Sequence, residues 1–355
     1  MAATTHENGV KPVEANGNST TTETKEYLNE PFIDLVEFMN GDDATRARAC
    51  ELVRDACIKH GLFQVTNHGV DPVLIREAYE EIDSIFGMPK ELKMIAARKR
   101  GAVKGYLGTY DEKFSSTVPF KEIYSLHYSN VGSNTQVIDH LKTAYGEHLP
   151  ERTGKVYERY VEAMTELTKV VMKVIAMSLG VDRSHFREYF KDGGGILRCS
   201  LYRPCDNSNL SIAKGPHSDP VCITILHQDQ DAGLEVLMDN KWLVCQRRPE
   251  AFVVNLGDTF QALSNGKYRG CIHRAMVLKE HERRSLAYFV VPNRDKTVKP
   301  PELIFGEKEE RKYPDFQWRD MFTFTQIYYT ADTETLNRFL EWLPSKDSVP
   351  TAEDA

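Results

Sequence analysis

Residues 221–244 read VCITILHQDQDAGLEVLMDNKWLV: a β-branched apolar run from Val221 to His227, a second run from Gly233 to Leu237, and then the turn pair Asp239-Asn240. Runs this short, rich in Val, Ile and Leu and bounded by turn chemistry, predict strands, not helices. The pattern repeats on both sides. Ile196 to Tyr202, Ala251 to Asn255, Cys271 to Val277 and Ser285 to Val291 are further candidate strands, with a second turn signal at Ser264-Asn265-Gly266. Six short strands in about 95 residues predict a two-sheet jelly roll. The fold class expected is therefore mainly β with flanking helices: a double-stranded β-helix, cupin-like core with an N-terminal α/β region packed on it.

Upstream the period changes. Pro31 to Leu35 alternates like a strand, and Ala49, Leu52, Val53, Ala56 and Cys57 then follow helical spacing up to Gly61. Leu62 to Thr66 reads as a strand, and Asp71-Pro72 supplies an N-cap and a first-turn proline for a helix carrying Ile75, Ala78, Tyr79, Ile82 and Phe86. A long helix is predicted through Tyr157, Tyr160, Met164, Leu167, Val171 and Val174, stopped by Gly180, and a helical pattern returns near Asp332 to Trp342. With no internal repeat, the expected divisions are these: a disordered tail over 1–30, an α/β region over 31–150, a long helix and linker packing on the barrel over 151–195, the jelly-roll core over 196–295, a helical extension over 296–344, and a tail over 345–355.

Composition narrows the function. The 355 residues are 41% apolar, enough for a sizeable core, and the formal net charge of −7 leaves no basic stretch to replace counterions along a nucleic-acid backbone. No window approaches the ~18 consecutive apolar residues that a membrane span needs. The N-terminal thirty residues lack both an apolar signal core and an Arg-rich amphipathic pattern. The expectation is a cytoplasmic monomer acting on a small apolar organic molecule, with neither nucleic acid nor membrane as partner. Seven cysteines without a Cys-x-x-Cys pair, mostly inside apolar runs, read as reduced core thiols.

The chemistry-bearing stretch is Lys214-Gly215-Pro216-His217-Ser218-Asp219-Pro220. On an extended backbone alternate side chains share a face, so His217 and Asp219 can point together into a barrel, with a third metal ligand from a distant strand; His273 is the natural candidate. Two imidazoles and one carboxylate leave coordination positions open, which suits non-haem iron(II), whereas a structural zinc site is closed by four protein ligands. Against this, a His-x-Asp pair occurs by chance, and Asp219 before Pro220 could serve as a turn or cap residue. Among the other histidines, His227 is the nearest rival.

Ten residues after His273, Arg283 and Ser285 share one face of a strand. A buried arginine there needs a carboxylate or phosphate partner; its planar fork can hold a carboxylate while Ser285 donates a further hydrogen bond. On the strand before the metal motif, Arg198, Ser200 and Tyr202 share a face, so the Tyr202 hydroxyl could reach the same ligand. The plainer alternatives are an ion pair for Arg283, given the charges from Glu280 to Arg284, and an ordinary core role for Tyr202.

These residues, with Asn67-His68-Gly69, Tyr202 to Cys205, Leu226-His227-Gln228-Asp229-Gln230, Val254-Asn255-Leu256-Gly257-Asp258-Thr259, Leu263-Ser264-Asn265-Gly266, His273-Arg274-Ala275 and Arg283-x-Ser285, resemble the plant 2-oxoglutarate and iron(II) dependent dioxygenases, and among them the gibberellin 20-oxidases. The resemblance spans Pro31 to Leu343. It implies that His217, Asp219 and His273 bind iron, that Arg283 and Ser285 grip the distal carboxylate of 2-oxoglutarate, and that Tyr202 orients it. It further implies oxidation of a small polycyclic plant metabolite by O2 with release of succinate and CO2, ascorbate serving as reductant.

Two departures from the 20-oxidase pattern bear on substrate. Val118-Pro119-Phe120-Lys121-Glu122-Ile123 stands where Leu-Pro-Trp-Lys-Glu-Thr is usual, so Val118, Phe120 and Ile123 would line a more apolar substrate pocket. Ser200-Leu201-Tyr202-Arg203-Pro204-Cys205 stands where Asn-Tyr-Tyr-Pro-Pro-Cys is usual. Both suggest a recruited oxygenase of specialised metabolism, acting on an alkaloid or another terpenoid. Alternatives of other classes are a non-catalytic jelly-roll binding protein and a zinc hydrolase, the latter lacking a general base and leaving Arg283 with Ser285 unexplained.

Overall fold

The computed structural model describes residues 25–99, 101–108, 121–204, 212–230, 233–306, 309–328, 330 and 332–348. Two sheets face each other. The larger has eight strands: β1 (Phe32–Asp34), β2 (Leu62–Thr66), β3 (Gly105–Gly108), β4 (Lys121–Ser129), β5 (Gly194–Tyr202), β7 (Ile223–Gln228), β10 (Phe252–Leu256) and β12 (Arg283–Val291). The smaller has β6 (Ile212–His217), β8 (Leu234–Met238), β9 (Lys241–Val244) and β11 (His273–Met276). Their orders are β1-β2-β10-β7-β12-β5-β4-β3 and β6-β11-β8-β9. Every pairing in them is antiparallel except β1 with β2. This is the expected jelly-roll core with flanking helices.

Register decides which side chains meet. Tyr202 lies opposite Arg283, Ser200 opposite Ser285, and Ser285 opposite Gln228 on its other side. Because facing residues share a sheet face and alternate residues return to it, Arg198, Ser200 and Tyr202 of β5 look the same way as Arg283 and Ser285 of β12, and as Thr224, Leu226 and Gln228 of β7. Asn255 of β10, opposite Thr224, extends that face, as does Ile123 of β4, opposite Ser200. The face is polar where it meets the smaller sheet. The other face, with Leu197, Cys199, Leu201, Leu286, Tyr288 and Val290, is buried and apolar.

The apolar face is covered by the helix Glu151–Leu179, 29 residues and so about 43 Å long. Its buried stripe runs through Tyr157, Tyr160, Met164, Leu167, Val171 and Val174, and Thr165 meets the Tyr288 hydroxyl at 3.0 Å. Gly180 closes the helix in the left-handed region at φ 83°. The Asp71-Pro72 start is as expected: the Asp71 carboxylate accepts from the Val73 N–H at 2.8 Å, and Pro72 opens the helix Pro72–Phe86. The cysteines at 50, 57, 199, 222, 245 and 271 are free and buried, as core thiols should be, and Cys205 lies outside the described residues.

Several features escaped the sequence pattern, among them strand β9 and the helix Gln136–Tyr145. Strands β3 and β4 extend the large sheet, and β6 carries His217, although Lys214-Gly215-Pro216 shows no apolar alternation. The Trp318–Tyr328 helix precedes the expected C-terminal one, which spans Thr335–Trp342. Among the described residues no helix is long and apolar enough to cross a membrane.

Candidate active site

His217 ends β6 and His273 begins β11, directly opposite one another in the ladder. Their rings are 4.2 Å apart between centroids. Asp219 lies just past the end of β6, in the turn leading to β7, and not on the strand itself. Its Oδ1 is 3.6 Å from His217 Nε2 and its Oδ2 3.8 Å from His273 Nε2; one donor atom from each of the three lies within 4.8 Å of the others. An ion at ordinary metal–ligand distances of about 2.0–2.2 Å separates its donors by at most about 4.4 Å, so the three need to draw in only a few tenths of an ångström to share one.

The surroundings orient each donor. His217 Nδ1 faces the Gly215 carbonyl at 2.8 Å and His273 Nδ1 the Cys271 carbonyl at 3.1 Å. A carbonyl can only accept, so both Nδ1 atoms carry the proton and both Nε2 lone pairs face inward. Asp219 Oδ2 accepts from Thr224 Oγ1 at 2.7 Å and from Asn255 Nδ2 at 3.1 Å, which fixes the carboxylate plane. Burial, then Lys214 and His273, push the His217 imidazole down to about 3, and burial also lowers His273. Burial opposes ionisation of Asp219, yet its carboxyl stays well below its usual range, with the Lys214 ammonium nearby and Thr224 and Asn255 donating to Oδ2. Neutral imidazoles beside an ionised carboxylate are the protonation states a divalent metal requires.

Arg283 lies on the face of the larger sheet that also carries Thr224 and Asn255. It is 2% exposed and makes no ion pair among the described residues. Its Nη2 donates to Gln228 Oε1 at 3.2 Å, its guanidinium lies 5.1 Å from the Tyr202 ring centroid, and its Nε and Nη1 have no hydrogen-bond partner. Leaving a buried donor unmade costs about 1–3 kcal/mol, and more for a charged group. The expected alternative of an ion pair belongs to the neighbours instead: Arg284 binds Asp229 and Asp83, and Arg203 binds Glu282 at 2.7 Å. Gly233 makes room for the guanidinium, since a Cβ there would lie 1.8 Å from Arg283 Nε. A buried guanidinium with two unpartnered nitrogens, on the same strand face as Ser285, fits a carboxylate.

A cavity of about 560 Å³ lies on the far face of the sheet beside Thr165 and Tyr288, but the one that reaches Asp219 measures about 530 Å³. Ile123 lines that second cavity, as expected, together with Phe289, Trp318 and Phe322; Val118 and Phe120 lie outside the described residues. The wall is not apolar throughout. Arg98, Lys99, Lys121, Arg198 and Lys214 all border it, and burial together with Arg198 lowers the Arg98 guanidinium from its usual value. His227, the rival ligand, sits on the opposite sheet face, bonded to Tyr79 at 2.9 Å and to the Pro249 carbonyl at 3.1 Å.

Sequence reasoning found the three metal-ligand candidates and the guanidinium but missed what holds them. Thr224 was visible only as a strand residue, and Asn255 only as part of a family segment. Gln228 and Gly233 gave no separate signal.

The chain is similar to known proteins over most of its length. Residues 184–292 match the 2OG-Fe(II) oxygenase superfamily, and residues 31–145 match the non-haem dioxygenase in morphine synthesis N-terminal family. The chain is 46% identical over 326 residues to gibberellin 20 oxidase 3 of Arabidopsis thaliana, covering 90% of this chain and 85% of the relative. It is 41% identical to gibberellin 20 oxidase 1-D of Triticum aestivum, with 92% and 90% covered. Among solved structures, JOX2 in complex with 2OG, Fe and JA superposes with a TM-score of 0.75 at 29% identity, over 89% of this chain and 90% of that one. A rice dioxygenase for auxin oxidation gives 0.72 at 26% identity, over 87% and 99%.

Proposed function

Because the chain belongs to the 2OG-Fe(II) oxygenase superfamily, we propose that His217, Asp219 and His273 hold its iron, that Arg283, Ser285 and Tyr202 hold the distal end of 2-oxoglutarate, and that its substrate is a polycyclic carboxylic acid of the gibberellin kind. The observation that carries the cofactor assignment is the pairing of an open three-donor cluster, whose Asp219 is held by Thr224 and Asn255 of the larger sheet, with a buried guanidinium on that same face of the larger sheet whose Nε and Nη1 lack partners.

Iron(II) and 2-oxoglutarate, when bound, supply the oxidation: one O2 is consumed, the cosubstrate leaves as succinate and CO2, and one oxygen atom enters a C–H bond of the substrate. The chain's own residues do the rest. Thr224 and Asn255 keep the Asp219 carboxylate turned toward the imidazoles, and the Gly215 and Cys271 carbonyls keep each Nε2 free of a proton. Arg283 and Ser285 orient the dicarboxylate from its far end. Trp318, Phe322 and Phe289 limit water at the mouth and hold the substrate's apolar body.

The substrate class rests on charge. Arg98 and Arg198 border the cavity without an ion pair among the described residues; Arg198 has a 3.3 Å bond to Ser125 and stacks 4.8 Å from the Phe289 ring centroid. A cationic wall attracts a carboxylate and repels an amine, so the expectation of a wholly apolar substrate is narrowed to an acid, and an alkaloid base is disfavoured. A recruited oxygenase acting on a different acidic terpenoid remains the second reading, favoured by Ile123 in the cavity wall.

The test is a panel of gibberellin precursors, their methyl esters, neutral terpenoids and alkaloid amines, with succinate and product mass read together. Acids should turn over, and their esters should lose roughly tenfold or more in kcat/KM, the effect of one charge-assisted contact. Equal turnover of an ester or an amine overturns the assignment of substrate class.

A further inference from the structure

We infer that Gln228 is a further 2-oxoglutarate-binding residue, its side-chain amide donating to the distal carboxylate alongside Arg283 and Ser285; this rests on the cosubstrate site proposed above. Gln228 ends β7, is 3% exposed, and lies directly across the ladder from Ser285. Its amide has one end that accepts and one that donates. A guanidinium can only donate, so the 3.2 Å contact with Arg283 Nη2 assigns the oxygen, Oε1, to that side. Nε2 is then the free end, and it is buried without a partner.

The inventory around this point is therefore one-sided. Arg283 Nε, Arg283 Nη1 and Gln228 Nε2 are all buried donors lacking acceptors, and the Ser285 hydroxyl stands on the same face. Water could satisfy one such group, but a single carboxylate, with roughly four lone-pair positions, can accept from one edge of the guanidinium, from Ser285 and from Gln228 Nε2 together. Gln228 would thus act at both ends: Oε1 steadies the guanidinium, and Nε2 completes the cradle. The motif Leu226-His227-Gln228-Asp229-Gln230 gains a chemical reason at its central position.

The test is calorimetric titration of 2-oxoglutarate, and separately of 2-oxobutyrate, which lacks the distal carboxylate, into the zinc(II)-loaded protein. Gln228→Leu and Gln228→Met should each weaken 2-oxoglutarate roughly 10- to 100-fold, the range of a hydrogen bond to a charged group, and 2-oxobutyrate by less than about threefold. In the unmutated protein labelled with 15N-glutamine, the side-chain amide signal absent from the Leu variant should shift with 2-oxoglutarate and stay still with 2-oxobutyrate. If Gln228→Leu misfolds, Gln228→Met supplies both the affinity and the missing signal. An unmoved amide or unchanged affinity, with Arg283→Ala still abolishing binding, overturns the role of Gln228 and leaves the cosubstrate site standing. No binding of 2-oxoglutarate by the unmutated protein overturns both.

Discussion

At the scale of single residues, the site depends on small groups that make space or fix orientation. Gly233 is the sharpest case. Any side chain there would occupy the volume of Arg283 Nε and Cδ, and neither atom can retreat, because the guanidinium is held between Gln228 and the Tyr202 ring. Gly233→Ala should therefore displace Arg283, raising the Michaelis constant for 2-oxoglutarate at least tenfold, while zinc or iron binding at the three-donor cluster stays as it was. Unchanged cosubstrate affinity in a folded Gly233→Ala protein would count against the placement of Arg283. The metal-ligand candidates themselves were legible in the sequence, because His217 and Asp219 are near neighbours and local spacing carries that information. Their hydrogen-bond partners were not. Thr224 and Asn255 reach Asp219 only through the register of β7 with β10, which no local pattern encodes.

At the scale of elements, six core strands were readable from short β-branched runs because each buries one or both faces. Strands β6, β3 and β4 were not: β6 is led by Lys214-Gly215-Pro216, and its identity comes from pairing with β11, which is a long-range event. The long helix was readable through its apolar stripe, and that stripe has a definite energetic role. Met164 is fully buried where the helix crosses the sheet, so Met164→Ala should cost about 2–5 kcal/mol in denaturant unfolding. Lys169→Ala, on the exposed side, should stay within about 0.5 kcal/mol. If the two variants proved equally stable, the helix would not be backing the sheet as described. The cationic cavity wall was invisible for a related reason: Arg98, Arg198 and Lys214 come from three separate segments, and only the folded chain assembles them.

For the whole molecule, folding buries histidines in their neutral form. His60 is 4% exposed at the end of the helix Asp43–Lys59, and burial, with Arg269 and Lys59, pushes it down to about 4. Its folded pKa lies below its ordinary value, so between about pH 4 and 6.5 the unfolded chain binds the extra proton, and stability falls as the pH drops through that window. Chemical denaturation from pH 7 to 4.5 should show this loss, with a shallower slope in His60→Gln; parallel slopes would mean that His60 does not contribute.

The proposed centre is one ion held by His217 and His273 of the smaller sheet and by Asp219 in the turn after β6, with 2-oxoglutarate beside it. Anaerobic titration of iron(II) into the protein with 2-oxoglutarate measures this most directly, through the weak visible charge-transfer absorption of the ternary complex. One iron per chain should saturate the band, and His217→Ala should abolish it. A full band at unchanged stoichiometry in His217→Ala would contradict the account.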